Sequence, residues 1–465
     1  MGPAAVNRVL VLCPDHVKRQ MSGPAIRYFE LSHQLHRAGH EVVLATPATP
    51  DLEPQPFEII TSDPVVLQDL CRRQDVLVMQ GYILELFPFL RDAGAAIVCD
   101  LYCPFYLELL VDRQHNPDPD LAAPLESLRV TLDPIRQSDF LICASEKQRD
   151  YWLGVLTALN RVNADTYAMD PTLRALIDTV PFGLPDEPPH REAPAMRGVI
   201  PGIGEDDYVV LWGSSIYNWF DPLSLIRAVA GARERVPEIR LVVMATRHAS
   251  PNVTAETWML HEARRLSAEL GLTGRNVFFN EGWVPYEHRA DWLLEADVGA
   301  SVHLQHIETH FSFRVRFLDY LWAQLPILCT RGDVLAEAVE RERIGVTVDP
   351  GDVDGLTAAL VRLADPGVRE EYRSRVAAYA ARMTWSRAAE PLVRFCDAPW
   401  SAPDLGRVSP LRALPVPLRD YSRRDWRYYA VRAMHGLVHE GPLALAARGS
   451  RFVGRRLGRR RALQV

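Results

Sequence analysis

The stretch RVLVLCPDHVKRQMSGPAIRYFELSHQLHRAGHEVVLATP, residues 8–47, decides the fold. Its first seven residues are a short apolar run of the kind that forms a buried strand. The segment SGPAIRYFELSHQLHRAGH then reads as a helix, with Ser22 at its N-cap, Pro24 in its first turn and Gly39 as its stop. EVVLATP supplies a second strand. Strand, helix and strand make one βαβ unit, whose crossover is right-handed.

The same alternation continues outward. DVLVMQG, AAIVCDLY, DFLICAS and DTVPFGL are further strand candidates, separated by helical or irregular segments. A Pro-rich, charged stretch, LPDEPPHREAPAMRG, interrupts the pattern between Leu184 and Gly198 and reads as a linker. The pattern restarts with DYVVLWGSS, a helix through DPLSLIRAVAGARERV, and the strands IRLVVMATR, NVFFNEG, ADVGASVH, LPILCTRG and GVTVDP. Short apolar strands alternating with helices predict α/β architecture with parallel sheets.

The expected fold is therefore two doubly wound, Rossmann-like domains facing across a cleft, followed by a basic C-terminal helical tail. The expected boundaries are 1–186 for the first Rossmann-like domain and 199–384 for the second. Residues 385–397 are read as a crossover helix back to the first domain, and 398–465 as a Pro-rich linker with a basic amphipathic tail. Open α/β sheets bind ligands at the carboxyl ends of their strands, so loops of both halves are expected to build the site.

Composition narrows the function. With 465 residues, 48% of them hydrophobic and 24% charged, the chain is long enough for two cores and reads as globular. No apolar run reaches membrane-spanning length, and MGPAAVNRVLVLC lacks the pattern of a signal peptide, which gives the expectation of a cytoplasmic protein. Among the seven Cys there is no CxxC pair, which favours buried thiols over zinc or disulfides. The net charge of -7 is uneven: residues 423–461 hold eleven Arg against Asp425 and Glu440, a local net of +9 that leaves -16 elsewhere. That distribution argues against general nucleic-acid binding and for a localised anionic partner.

Three blocks, WGSSIYNWFDPLSLIRAV, FFNEGWVPYEHR and ETHFSFRVRFLDYLWAQLP, resemble glycosyltransferases of the GT-B fold, similar to the retaining family 4 enzymes that use nucleotide-sugars. The resemblance covers about residues 8–396 and is strongest in the second half, where it is closest to a bacterial polysaccharide and glycoconjugate subgroup. It implies transfer of a sugar from a nucleoside diphosphate sugar to a hydroxyl acceptor, lipid-linked acceptors included. The third block departs from the family's pair of acids eight residues apart. Aligned on DYLWAQLP, Asp319 takes the second acid's place, but Phe311 stands where the first belongs, and Glu308 lies three residues further back.

A helix capped by Ser312 and running through Gln324 places Ser312, Arg316 and Asp319 on one stripe, with Leu318, Leu321, Trp322 and Arg314 opposite. Asp319 can accept two ribose hydroxyl bonds, the role the resemblance implies. The free N–H groups at the helix start, near Phe313 and Arg314, offer an anion site for the diphosphate, with Arg316 adding charge. Glu308 is assigned to the sugar; for Arg314, a buried pair with Glu308 and donor contact are equally open. The family's Arg and Lys after the first strand of the second domain are absent, for Gly213, Ser214, Ser215, Ile216, Tyr217, Asn218 and Trp219 stand there. Arg316, Arg314 and Arg247 are the substitutes, and no metal or other cofactor is expected.

Gly213, Ser214 and Asn218 remain donor-side candidates. Gly282 and Trp283 are candidates for the base, with Trp283 either stacking on it or filling the cleft. In the first domain, Gly23 and Pro24 stand where the family brings a Gly-rich loop to the diphosphate and acceptor. Asp100 is either a group that holds or deprotonates the acceptor hydroxyl or a structural cap. His303, His306 and His310 lack a zinc-binding pattern. The tail segment RRDWRYYAVRAMHGLVH repeats aromatics at helical spacing among Arg residues, which suits either an anionic membrane face or docking on the body. Two rival functions stand beside the transferase: a sugar-nucleotide epimerase on the same fold, and a non-catalytic donor-binding or scaffold protein.

Overall fold

The computed structural model describes residues 6–108, 110, 122–246 and 256–405. The basic tail and its membrane reading therefore lie outside the described residues, as does Arg247. No helix among the described residues is long and apolar enough to cross a membrane.

The first half forms a parallel sheet of β1 (Arg8–Leu12), β2 (Glu41–Thr46), β3 (Glu58–Thr61), β4 (Val76–Gln80), β5 (Ala96–Asp100), β6 (Phe140–Cys143) and β7 (Ile177–Thr179). Its order is β3-β2-β1-β4-β5-β6-β7. β1 is central, pairing Val9 with Val42 on one side and with Val76 on the other. Strands β4 and β6 are apolar along most of their length because helices cover both sheet faces. The edge strand β3 reads EIIT, with exposed ends, and was not among the sequence-derived strands. A four-residue, half-polar edge carries little periodic signal.

The second half repeats the plan with β8 (Tyr208–Trp212), β9 (Ile239–Val243), β10 (Val277–Phe279), β11 (Val298–Ser301), β12 (Ile327–Thr330) and β13 (Gly345–Val348). Their order is β10-β9-β8-β11-β12-β13, again parallel. All six coincide with apolar runs read from the sequence. In each sheet the order reverses beside its first strand, between β1 and β4 and between β8 and β11. Chains leaving the two strands at such a point diverge and open a crevice.

The helix Gly23–Arg37 follows β1, with Pro24 in its first turn and Gly39 (φ 97°) ending it. Ser22 holds the N-cap position, but its hydroxyl makes no cap bond and is turned to Asp15 instead. At the other end of the chain, helices Trp385–Ala388 and Glu390–Asp397 return to the first half. Phe395 stacks on Phe140 at 4.9 Å, and Asn7 Nδ2 donates to the Cys396 carbonyl at 2.6 Å. The return runs so close to Gly183 that a Cβ there would lie 2.5 Å from the Trp385 backbone. Only glycine leaves room for that crossing.

Candidate functional site

The helix Val315–Trp322 is the centre of the site, and Tyr320 fixes its seat. The Tyr320 ring lies against Gly299 of β11, where a Cβ would come within 2.2 Å of it. Its hydroxyl donates to the Ala300 carbonyl at 2.8 Å and accepts from the Gly213 N–H at 2.8 Å, tying the helix to the ends of β11 and β8. The start of the helix is thereby held beside the crevice.

The helix begins later than the sequence suggested. Ser312 does not cap it: Ser312 ends the short helix Ile307–Phe311, its hydroxyl donating to the Thr309 carbonyl at 3.2 Å, and Arg314 holds the N-cap position. Residues at those two cap positions are extended, so a break separates Glu308 from Asp319. Arg314 consequently lies before the helix rather than on its apolar side, and the assumed opposition of the two Arg does not hold.

A cavity of about 440 Å³ opens here, between the strand ends of both halves. It lies in the size range of small-molecule sites. Glu308, Ser312, Phe313, Arg314, Arg316 and Asp319 all line it from the second half, joined by Gly213, Ser214 and Trp283. Gly23 and Pro24 line it from the first half. Gly282 and Asn218 do not: the Gly282 carbonyl accepts from Thr246 N at 3.4 Å, and Asn218 Oδ1 faces the N–H of Met259 at 3.5 Å.

Two guanidinium groups meet in the cavity wall. Arg316 is 8% exposed, stands 4.0 Å from the Phe220 ring centre and 4.9 Å from Trp212, and its buried Nη1 has no hydrogen-bond partner among the described residues. Burial pushes its pKa down to about 10, which still leaves it charged at neutral pH. Arg314 pairs with Asp333 at 2.6 Å, not with Glu308. That contact is made by Nε, and Nη1 and Nη2 of Arg314 have no hydrogen-bond partner among the described residues. Burial holds its pKa below the ordinary value. Buried donors of this kind are almost always satisfied, so an incompletely bonded pair of cations marks a place for an anion. The N–H groups of Val315 and Arg316 in the first turn add to it, while that of Phe317 already donates to the Arg314 carbonyl at 3.0 Å.

Glu308 is 4% exposed, and its Oε2 has no partner among the described residues. Burial, then the negative charges of Glu108 and Asp333, raise its pKa to about 8 against the pull of Arg316. A carboxyl in that state is a hydrogen-bond donor as well as an acceptor. Asp319 accepts from Arg289 Nε at 3.2 Å and so is not paired with Arg316. Burial raises its pKa, and Arg289 opposes the shift. Arg289 is itself sandwiched, 3.7 Å from the Tyr286 ring centre and 4.4 Å from that of Trp322. Arg289 stands within the block FFNEGWVPYEHR, but its role was not legible there, because nothing local places it against a residue thirty positions away.

Asp100 is not placed to act as a base. It does not line the cavity; it is 1% exposed and bound to Arg27 in two contacts, Nε to Oδ2 at 2.6 Å and Nη2 to Oδ1 at 3.0 Å. Both carboxylate oxygens are thus engaged by Arg27 and lie outside the cavity lining. Of the three histidines, His306 Nδ1 accepts the N–H of Glu308 at 3.1 Å, and His310 stacks edge-on against Phe311. His303 alone of the three lines the cavity. No cluster of potential metal ligands occurs among the described residues.

Comparisons with known proteins follow the same division. Residues 207–365 match the family of glycosyl transferases group 1. No curated protein matches the chain in sequence. Among solved structures, sucrose-phosphate synthase from Thermosynechococcus elongatus is similar with a TM-score of 0.57 at 18% identity, over 84% of this chain and 98% of that one. WaaG, a glycosyltransferase involved in lipopolysaccharide biosynthesis, gives 0.57 at 16% identity, over 83% and 99%. HepE of Anabaena in complex with UDP-glucose gives 0.57 at 14% identity, over 83% and 98%. At such identities the likeness concerns the fold, which is that of two facing Rossmann-like domains.

Proposed function

We propose that the chain, whose residues 207–365 match the glycosyl transferases group 1 family and whose fold is that of two facing Rossmann-like domains, is a glycosyltransferase that moves a sugar from a nucleoside diphosphate sugar to a hydroxyl acceptor, with retention and without a metal. The observation that carries this reading is the pair Arg314 and Arg316, buried at the start of one helix with hydrogen-bonding capacity unused. Cleaving the bond between anomeric carbon and phosphate leaves a diphosphate with more negative charge than the donor had. Fixed cations and helix N–H groups stabilise that charge as it develops. The cations stand in for the Arg and Lys that are absent after β8.

Asp319 is assigned to the ribose and Glu308 to the transferred sugar, with Gly23 and Pro24 approaching from the acceptor-side domain. A Cβ on Gly23 would meet nothing within 4 Å, so the space beside it is open to a ligand. HepE, of the same fold, is complexed with UDP-glucose, which supports a nucleotide-sugar donor. Retention is the expectation carried by the three sequence blocks.

The test is calorimetric. Arg316→Ala is expected to weaken a nucleoside diphosphate about tenfold or more, in keeping with one or two lost charge-assisted bonds, and to leave the bare nucleoside nearly unchanged. Equal losses for both ligands would mean that Arg316 only supports the wall.

A further inference from the structure

His303 is a buried, oriented and incompletely bonded side chain that the donor assignments leave unused. It follows β11, is 3% exposed and lines the cavity. Its backbone N–H donates to Thr330 Oγ1 at 3.0 Å, and its ring meets Phe220 edge-on at 4.6 Å. Ring Nε2 is engaged with the Ser301 hydroxyl at 3.0 Å. Nδ1 is buried and has no partner among the described residues. Contacts on the backbone, on the ring face and at Nε2 leave the imidazole little freedom to turn. The unused atom is thus fixed by packing, buried beside the cavity that the side chain lines.

Its neighbours say which part of a donor would reach it. Phe220 touches both the His303 ring and the guanidinium of Arg316. A diphosphate at Arg316 therefore brings the group beyond its second phosphate into the region that His303 and Glu308 line together. The chemistry of the ring narrows the partner further. If Nε2 accepts from Ser301, Nδ1 carries the proton and donates; if Nε2 donates, Nδ1 accepts. A hydroxyl group satisfies either tautomer, whereas a phosphate oxygen satisfies only one.

We propose that His303 Nδ1 binds a hydroxyl of the transferred sugar, making His303 a specificity-determining residue for the donor. The proposal rests on the donor reading above and adds the residue that distinguishes nucleotide-sugar from bare nucleotide.

The experiment compares wild type, His303→Leu and His303→Asn by titration with UDP, GDP and their glucose and mannose conjugates. Asn keeps a polar atom near the position of Nδ1; Leu does not. His303→Leu is expected to bind the preferred nucleotide-sugar about tenfold more weakly while its nucleoside diphosphate affinity changes less than twofold, and His303→Asn is expected to recover most of the loss. Equal weakening of sugar-nucleotide and nucleotide, or no change in either, overturns the assignment. Should the Leu variant fail to fold, Ser301→Ala takes its place: releasing the ring must give a smaller loss confined to the sugar-nucleotide, and a loss shared with the nucleotide counts against the proposal. A wild type that binds nucleotides but discriminates none of the sugars defeats the His303 proposal alone. One that binds no probe defeats the donor reading with it.

Discussion

At the scale of single residues, Glu308 shows how burial converts a familiar side chain into a different group. Its ordinary carboxyl pKa of 4.5 is raised to about 8. The folded state therefore favours the protonated form, and this stabilising effect is full below about pH 4.5 and is lost as pH rises through 8. Each unit of such a shift corresponds to about 1.4 kcal/mol. Glu308→Gln, which stays neutral, is expected to melt close to wild type near about pH 5 and a few degrees above it near about pH 9. Parallel melting curves across that range would remove the shift and the neutral carboxyl with it. Residue identity alone signalled Asp319 and Arg316 through their block. It misdirected Asp100, because a strand-end carboxylate looks the same in sequence whether it faces a cleft or a buried Arg27.

At the scale of elements, the two-helix arrangement around residues 312–314 accounts for the unusual separation of Glu308 and Asp319. The helix that carries Asp319 starts at Val315, and Glu308 sits on the preceding short helix, so both reach one cavity without sharing a stripe. A continuous periodicity drawn through the segment could not show the break, since Ser312 has the chemistry of a cap and the apolar spacing continues past it. Tyr320 is the residue that turns this element into a fixed platform. Tyr320→Phe would leave the Gly213 N–H without its partner, at a cost of about 1–3 kcal/mol. Chemical denaturation should show that loss, and a stability equal to wild type would mean that another group takes over the N–H.

At the scale of the whole molecule, long-range pairs join segments that sequence order keeps far apart. The Tyr286 hydroxyl donates to Glu30 at 2.7 Å, joining the second half to the first helix. Gln148 Nε2 donates to the Phe311 carbonyl at 2.8 Å, tying the first half to the short helix of Glu308. Arg161 grips Asp404 through Nε at 2.6 Å and Nη2 at 3.3 Å and also donates to the Ile135 and Ser138 carbonyls, anchoring the returning chain. Both side chains are essentially unexposed. Asp404→Ala would strand a buried guanidinium and is expected to cost about 3–5 kcal/mol in thermal or urea unfolding. A loss below about 1 kcal/mol would show that the carbonyls alone hold Arg161.

The sequence by itself determined the two parallel sheets and picked out, in the segment from Glu308 to Asp319, residues that line the cavity. Apolar runs, helix stops and turn residues are local properties, and they repeat often enough to be read without knowing what packs on what. Only the tertiary structure decided that Arg314 pairs with Asp333, that Arg289 holds Asp319, that Asp100 is spent on Arg27, and that His303 is buried beside the cavity with Nδ1 unpartnered among the described residues. Each of these depends on which of several possible partners becomes buried beside a charged or polar group. Burial is a property of the assembled chain, because the same side chain is an open ligand or a locked ion pair according to what comes to lie beside it.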